Sequence, residues 1–246
     1  MKSPANGLTL DSILGGRLRL YQPAEGYRFS VEAILLGRFV RARERDRVLE
    51  LGAGCGVVSI MAAALVRPRQ VVALDVQPAF AALIARNAEL NNLHNVSAVC
   101  ADLRRRGIGA IRPASFDVVI ANPPYRAIRT GRESPNPSRR IARGAAGASL
   151  AEFLDAAARA ARYRAAVAIV FTASRTAELI AELRARRLEP KRIRFVHPRL
   201  QRPASVILIE ARKGGGVEAQ VEPPLVLYDK PGVYSPEARE LLEDGP

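Results

Sequence analysis

Between residues 47 and 186, short apolar runs alternate with stretches whose apolar positions recur every three or four residues. The runs predict strands at Arg47–Leu51, Gln70–Leu74, Val96–Cys100, Phe116–Ala121 and Ala165–Phe171. The intervening periodicity predicts helices at Val57–Val66, Pro78–Leu90, Leu150–Arg162 and Arg175–Arg186. Parallel strands need a crossover between them, so this alternation implies an α/β chain built on a doubly wound, mostly parallel sheet. Upstream, Leu8 to Tyr21 alternates apolar and polar residues around Gly15-Gly16, which predicts a β-hairpin. Ser30 then stands as an N-cap for a helix through Val31, Ile34, Leu35, Gly37 and Phe39.

Downstream the rhythm breaks. Lys191–Val196 and Ala204–Ala211 are joined by too few residues for a helical crossover, so they should pair antiparallel at the sheet edge. Gly214-Gly215-Gly216 then reads as a flexible link to a tail, Val217–Pro246. The expected organisation is a hairpin flap over 1–29, a core domain over 30–213 and a tail over 214–246 packed on or near it.

Composition narrows the class. Of 246 residues, 48% are hydrophobic and 25% charged, which suits a globular core and excludes a collagen-like or wholly disordered chain. No apolar run approaches the ~18–20 residues of a membrane span, and the first residues lack a signal-peptide core, so a cytoplasmic protein without membrane contact is expected. The cysteines Cys55 and Cys100 and the histidines His94 and His197 are scattered singly, so neither a metal site nor a disulfide framework is expected. Cys55 reads as a small buried filler, and the histidines as surface or strand-end residues. Lysine and arginine number 38 against 24 acids, a net charge of +14, which favours a polyanionic partner such as nucleic acid. Only four of these cations are lysines, so part of the excess is also a compositional arginine bias.

Three segments carry candidate chemistry. Glu50-Leu51-Gly52-Ala53-Gly54-Cys55-Gly56 follows a strand and opens a helix, so its glycines let a ligand approach the backbone. The spacing is G-x-G-x-G with an acid two residues ahead, not G-x-G-x-x-G. An acid there would repel a pyrophosphate and suits the cationic amino-acid group of S-adenosylmethionine. Asp75, 23 positions after Gly52, ends the second strand, where such folds place a carboxylate against ribose hydroxyls. In Cys100-Ala101-Asp102-Leu103, Asp102 reads either as an acceptor for the adenine amino group of that cofactor, with Leu103 beside it, or as a partner for Arg104–Arg106. Asn122-Pro123-Pro124-Tyr125 follows the strand Phe116–Ala121. Two prolines stiffen the turn, so the Asn122 side-chain oxygen and the Pro123 carbonyl form a fixed pair of acceptors. Two acceptors suit an NH₂ group, and holding both N–H bonds favours a localised nitrogen lone pair while Tyr125 stacks on the ring. In-line methyl transfer follows with no covalent intermediate.

Glu50–Gly56 followed by Asn122–Tyr125 resembles the class I S-adenosylmethionine-dependent amino-methyltransferases. The finer resemblance is to bacterial tRNA (adenine-N6) methyltransferases acting beside the anticodon of a valine tRNA. It is carried by Gly26-Tyr27-Arg28-Phe29-Ser30-Val31-Glu32-Ala33-Ile34-Leu35-Leu36, by Ser134-Pro135-Asn136-Pro137-Ser138-Arg139-Arg140-Ile141-Ala142-Arg143 and by Pro223-Pro224-Leu225-Val226-Leu227-Tyr228. It implies a Rossmann-like methyltransferase fold with a seven-stranded sheet closed by an antiparallel edge hairpin, with tRNA as partner. It also implies that Arg28 and Phe29 lie near the methionine end of the cofactor. Residues 126–143 hold six arginines, Arg126, Arg129, Arg132, Arg139, Arg140 and Arg143, against the single acid Glu133. Directly after the catalytic turn, such a segment reads as a lid that grips RNA phosphates. The rival enzymatic reading is methylation of a protein glutamine amide, which uses the same Asn-Pro-Pro-Tyr turn. DNA adenine methylation, a dehydrogenase and a non-catalytic RNA-binding Rossmann-like protein fit fewer of these features.

Overall fold

A computed structural model of the chain describes residues 7–108, 111–124 and 148–243. The chain opens with the expected hairpin of β1 (Leu8–Ile13) and β2 (Leu18–Pro23), paired antiparallel around Gly15-Gly16. The central sheet is built from β3 (Arg47–Leu51), β4 (Gln70–Asp75), β5 (Val96–Cys100), β6 (Phe116–Ala121), β7 (Ala161–Thr172), β8 (Leu188–His197) and β9 (Val206–Lys213). Their order is β8-β9-β7-β6-β3-β4-β5, with β3 to β7 parallel and β9 antiparallel to both β7 and β8. The doubly wound sheet and its closing hairpin are both present.

Helices cover both faces. On one side lie α1 (Val31–Phe39), α2 (Val57–Leu65) and α3 (Pro78–Leu90), and on the other α4 (Leu150–Ala160) and α5 (Thr176–Ala185). β6 and β7 sit in the middle of the sheet, so their inner residues Val118–Ala121 and Ala165–Phe171 are buried on both faces and read as unbroken apolar runs. α4 begins where Ser149 accepts from the Glu152 backbone and the Glu152 carboxylate accepts from the Ser149 N–H, a reciprocal cap that fixes its first turn. It ends at Ala160, two residues before the expected end, because β7 starts at Ala161 with no intervening loop. Ser30 does occupy the N-cap of α1, but its side chain makes no capping hydrogen bond.

The tail departs from expectation. It adds two short strands, β10 (Gln220–Val221) and β11 (Leu225–Val226), both parallel to β8, so the sheet has nine strands rather than seven. Two-residue strands leave no periodicity to read, yet they cover an edge that would otherwise expose unpaired backbone. The chain then forms a ribbon of β12 (Tyr228–Lys230) and β13 (Val233–Tyr234), followed by α6 (Pro236–Leu242), which buries Ala238 and Leu242 in the cluster that includes α1. The glycine run is a bonded turn and not a loose link: the Gly214 N–H donates to the Arg187 carbonyl at 2.8 Å, and Lys191 Nζ donates to the carbonyls of Gly216 and Val217 at 3.0 Å.

Two asparagines on α3 hold the hairpin to the core. Asn87 Oδ1 accepts from the Tyr21 N–H at 2.7 Å and its Nδ2 donates to the Tyr21 carbonyl at 2.9 Å. One turn later, Asn91 repeats the pattern with Arg19 at 3.0 and 2.7 Å. Residues i and i+4 of a helix are spaced much like i and i+2 of a strand, so the two amides act as a strand edge for β2. Asn87 is fully buried and Nδ2 also donates to the Cys55 carbonyl at 2.9 Å.

Asn87→Ala would strand the Tyr21 and Cys55 groups without partners, and should lower unfolding free energy by about 2–4 kcal/mol in urea titration. Asn91→Ala, at a partly exposed position, should cost about 1 kcal/mol or less.

Candidate functional site

Strand register sets the line of the site. Leu51 pairs with Ala121 on one side and with Leu74 on the other, while Asp75 pairs with Cys100. The residues that follow, Gly52 on β3 and Asn122 on β6, therefore leave adjacent strands at the same level, with strands about 4.8 Å apart. Asp75 ends β4 beside Gly52, and Asp102 follows β5. The sequence motifs thus converge on the carboxyl edge of the sheet, with β3 at their centre.

The glycine loop is shaped by conformation and by contact. Gly52, Gly54 and Gly56 have φ of +69°, +57° and +84°, all in the left-handed region that only glycine enters freely. A Cβ on Gly54 would stand 2.9 Å from Tyr27 Cε1, and one on Gly52 would stand 3.0 Å from the Phe153 ring. Aromatic rings held by their own packing cannot yield at such distances. Tyr27 is fixed edge-on to Phe80, with ring centroids 5.8 Å apart.

Buried carboxylates flank this loop. Glu50 is 2% exposed and accepts from the Ser59 N–H at 2.8 Å and from the Ser59 hydroxyl. Burial pushes its pKa up to about 7, against the opposing effect of the Ser59 bonds. Asp75 Oδ2 accepts from the Gly54 N–H and Oδ1 from the Gln77 N–H, both at 2.9 Å. Burial raises its pKa as well. Cys55 is buried against Phe80 and Leu83, and burial pushes its thiol up to about 12, so it is an inert filler.

The other expected residues divide. Asn122 and Pro124 are half-buried and Pro123 is buried at the end of β6. Asp102 is half-buried beneath Arg104, whose Nε lies 2.9 Å from both carboxylate oxygens and whose hydrogen bonds hold Asp102 below the usual carboxylate range. Leu103 is buried in the apolar cluster on the α4 side and helps line a cavity of about 200 Å³ with Leu51, Ile108, Ile111 and Ala156. The Arg28 guanidinium turns to the hairpin, donating to Thr9 Oγ1 at 2.7 Å and pairing with Asp11 at 3.1 Å. Phe29 packs beside Tyr27 under the hairpin. Tyr125 and Arg126, Arg129, Arg132, Arg139, Arg140 and Arg143 lie outside the described residues. His94 is exposed, and His197 ends β8 with Nδ1 2.8 Å from the Arg202 carbonyl.

Sequence reasoning missed Tyr27, Ser59 and Asn87, each of which touches the loop or the acid before it. Asn87 had a signal: an amide at i+3 and i+4 from Ile84 and Leu83 lies on the inward face of α3. Among the described residues, no group of three His, Cys, Asp or Glu side chains is placed to hold a metal, and no helix is long and apolar enough to cross a membrane.

A family model described as the methyltransferase small domain matches residues 31–170. A Flavobacteriaceae bacterium protein named tRNA1(Val) (adenine(37)-N6)-methyltransferase is 31% identical over 110 residues, 44% of this chain and 46% of that protein. A protein of the same name from Dyadobacter fermentans is 26% identical over 216 residues, covering 86% of this chain and 87% of its own length. A Methanocaldococcus jannaschii protein named as a protein N5-glutamine methyltransferase is 37% identical over 106 residues, 43% of this chain and 47% of that protein. The chain therefore spans about half the length of the first and last of these relatives. The crystal structure of an Agrobacterium tumefaciens protein described as an O-methyltransferase superposes with a TM-score of 0.68 at 22% identity, covering 85% of this chain and 94% of that one. The fold is that of the Rossmann-like methyltransferases.

The raised pKa of Glu50 makes a prediction. Between the usual 4.5 and about 7 the folded chain keeps a proton that the unfolded chain has released. The share of stability due to Glu50 should be fully present below pH 4.5, decline through this window by roughly 3 kcal/mol, and be lost above pH 7. Glu50→Gln should remove that share of the slope in denaturant titrations and leave the contribution of Asp75; an unchanged pH profile would contradict the assignment.

Proposed function

The chain belongs to the methyltransferase small domain family, and from that premise we propose that it methylates the exocyclic amino group, N6, of an adenine in tRNA near the anticodon, using S-adenosylmethionine. The observation that carries the reading is the register of β3 and β6, which starts the glycine loop and the Asn122-Pro123-Pro124 turn side by side at one edge.

The residues present fit the cofactor. The left-handed glycines form a cradle that a Cβ would obstruct, Glu50 is a carboxylate for a cationic amino-acid end, and Asp75 is a carboxylate for ribose hydroxyls. Both oxygens of Asp75 already accept one backbone bond, which fixes the carboxylate and leaves lone pairs for a diol. Asp102 and Leu103 would face the adenine end and Phe29 the methionine end, whereas the Arg28 guanidinium is engaged by Thr9 and Asp11 and braces the hairpin. Bound there, the cofactor supplies an electrophilic methyl on sulfur.

The acceptor side is the work of this chain's own turn. The Asn122 oxygen and the Pro123 carbonyl accept the two N–H bonds of the target amine, which concentrates electron density on nitrogen and aims its lone pair. Pro123 and Pro124 keep that pair of acceptors rigid, so little orientational freedom is lost at the moment of transfer. Tyr125 stacks on the base, and Arg126, Arg129, Arg132, Arg139, Arg140 and Arg143 contact phosphates around it.

The glutamine reading shares this chemistry. Coverage separates the two: the glutamine methyltransferase relative aligns with 43% of the chain, whereas the Dyadobacter relative aligns with 86% of it.

Incubation with labelled S-adenosylmethionine, tRNA and protein substrates should place the label on N6 of adenine in tRNA. Label appearing on protein glutamine instead would overturn the substrate. Asn122→Ala should keep cofactor affinity in calorimetry within about twofold while lowering transfer by at least 10²-fold, the usual scale for losing a transition-state hydrogen bond.

A further inference from the structure

At the edge of the sheet opposite the catalytic turn, β7 opens with a wide bulge. Phe116 pairs with Ala161 and Val118 with Ala166, so residues 162–165 stand against Asp117 alone. Bulges re-aim side chains, and this one turns Arg162, Tyr163 and Arg164 out to solvent. Tyr163 is 68% exposed, although it lies against Gly214, where a Cβ would fall 2.5 Å from the ring. The Arg164 guanidinium sits 5.5 Å from the ring centroid. Hydrogen bonds gather further cations here: Arg212 Nη1 donates to the Arg164 carbonyl at 3.2 Å, and the Gly214 N–H donates to the Arg187 carbonyl at 2.8 Å. Arg162 is paired with Asp117 and Arg212 with Glu210, but among the described residues neither Arg164 nor Arg187 forms an ion pair.

The backbone adds a second, independent observation. Arg164 and Arg187 have φ of +66° and +56°, in the left-handed region where glycine or asparagine costs least. At two turns that favour glycine, the chain places exposed arginines without an ion pair among the described residues: Arg164 beside the Tyr163 ring, and Arg187 joined to it through the backbone of Gly214. Such a ring offers a π-face to a base, and guanidinium groups beside it suit phosphates.

We infer that Tyr163, Arg164 and Arg187, with Arg212, form a second RNA-contact surface, which holds a part of the tRNA distant from the target base. This rests on the reading of the substrate as tRNA. About six residues of β7 separate the bulge from the level of the catalytic turn, roughly 20 Å at 3.3 Å per residue, a span that one folded RNA can bridge.

The test uses the doubly substituted full chain, Arg164→Gly with Arg187→Gly, in which glycine suits both backbones, so the thermal midpoint should not fall. Affinity for whole tRNA should drop roughly tenfold at low salt, and the slope of log affinity against log salt should become shallower by about 1.5–2. Tyr163→Ala should weaken binding with the slope unchanged, because stacking releases no counterions. Cofactor affinity should not move in any variant. Unaltered tRNA affinity and slope in the folded double variant would overturn the surface, even where the wild-type chain methylates tRNA. Absence of methyl transfer to tRNA by the wild type would instead overturn the functional reading, and the binding comparison would still decide the surface.

Discussion

The loop from Gly52 to Gly56 has three left-handed residues and only the small side chains of Ala53 and Cys55 to pack, so buried polar groups around it fix its shape. Asp75 binds the Gly54 N–H, Asn87 binds the Cys55 carbonyl, and Glu50 binds the first turn of α2 through Ser59. Glycine loses the most freedom on folding, and these bonds, formed away from water, offset that loss. Each partner comes from a different element, β4, α3 and β3. The loop therefore keeps its shape only where those elements are already docked.

Asn87 extends this dependence to the hairpin. Its amide serves the Cys55 carbonyl and both backbone groups of Tyr21, so β2 and the glycine loop are tied through one side chain. Arg28 then anchors the segment after β2 back onto β1 through Asp11, and Tyr27 packs its ring against Gly54. The hairpin is thus part of the site's scaffold. The charge of the site follows the same logic: burial raises the cost of ionising both acids beside the loop, Asp75 adds to it at Glu50, and a cationic ligand is the natural partner for such a pair.

The opposite end of the sheet is organised by edges. β8 would be exposed along its whole outer side, and the tail strands β10 and β11 cover it in two short steps. Between them Glu222 reaches Arg192, which is buried with Glu210 and stacks over Phe39 at 3.9 Å. A buried ion pair of this kind adds little net free energy, because the cost of desolvating both charges offsets their attraction. It fixes where the tail lies and, through Leu225, Ala238 and Leu242, where α6 closes over α1.

Much of this chain was legible in its sequence because parallel strands buried on both faces must be apolar throughout, while the helices between them must be apolar on one side only. That contrast located β3 to β7, and the glycine spacing, Glu50, Asp75 and Asn122-Pro123-Pro124 then fell at strand ends. What sequence could not supply was register. Which strand ends stand level, and so whether Gly52 meets Asn122, depends on hydrogen-bonded pairing between segments some 70 residues apart. The same holds for the bulge at Arg162–Ala165, which shifts the start of β7 and is set by its pairing with β6, and for the two-residue tail strands, which exist only against β8. Helical spacing puts Asn87 on the inward face of α3 but does not name its partners; only the folded chain, by bringing Tyr21 and Cys55 to it from 66 and 32 residues away, made it a buried junction. Local pattern is fixed by what each side chain must bury, whereas these long-range bonds are fixed by where the backbone arrives.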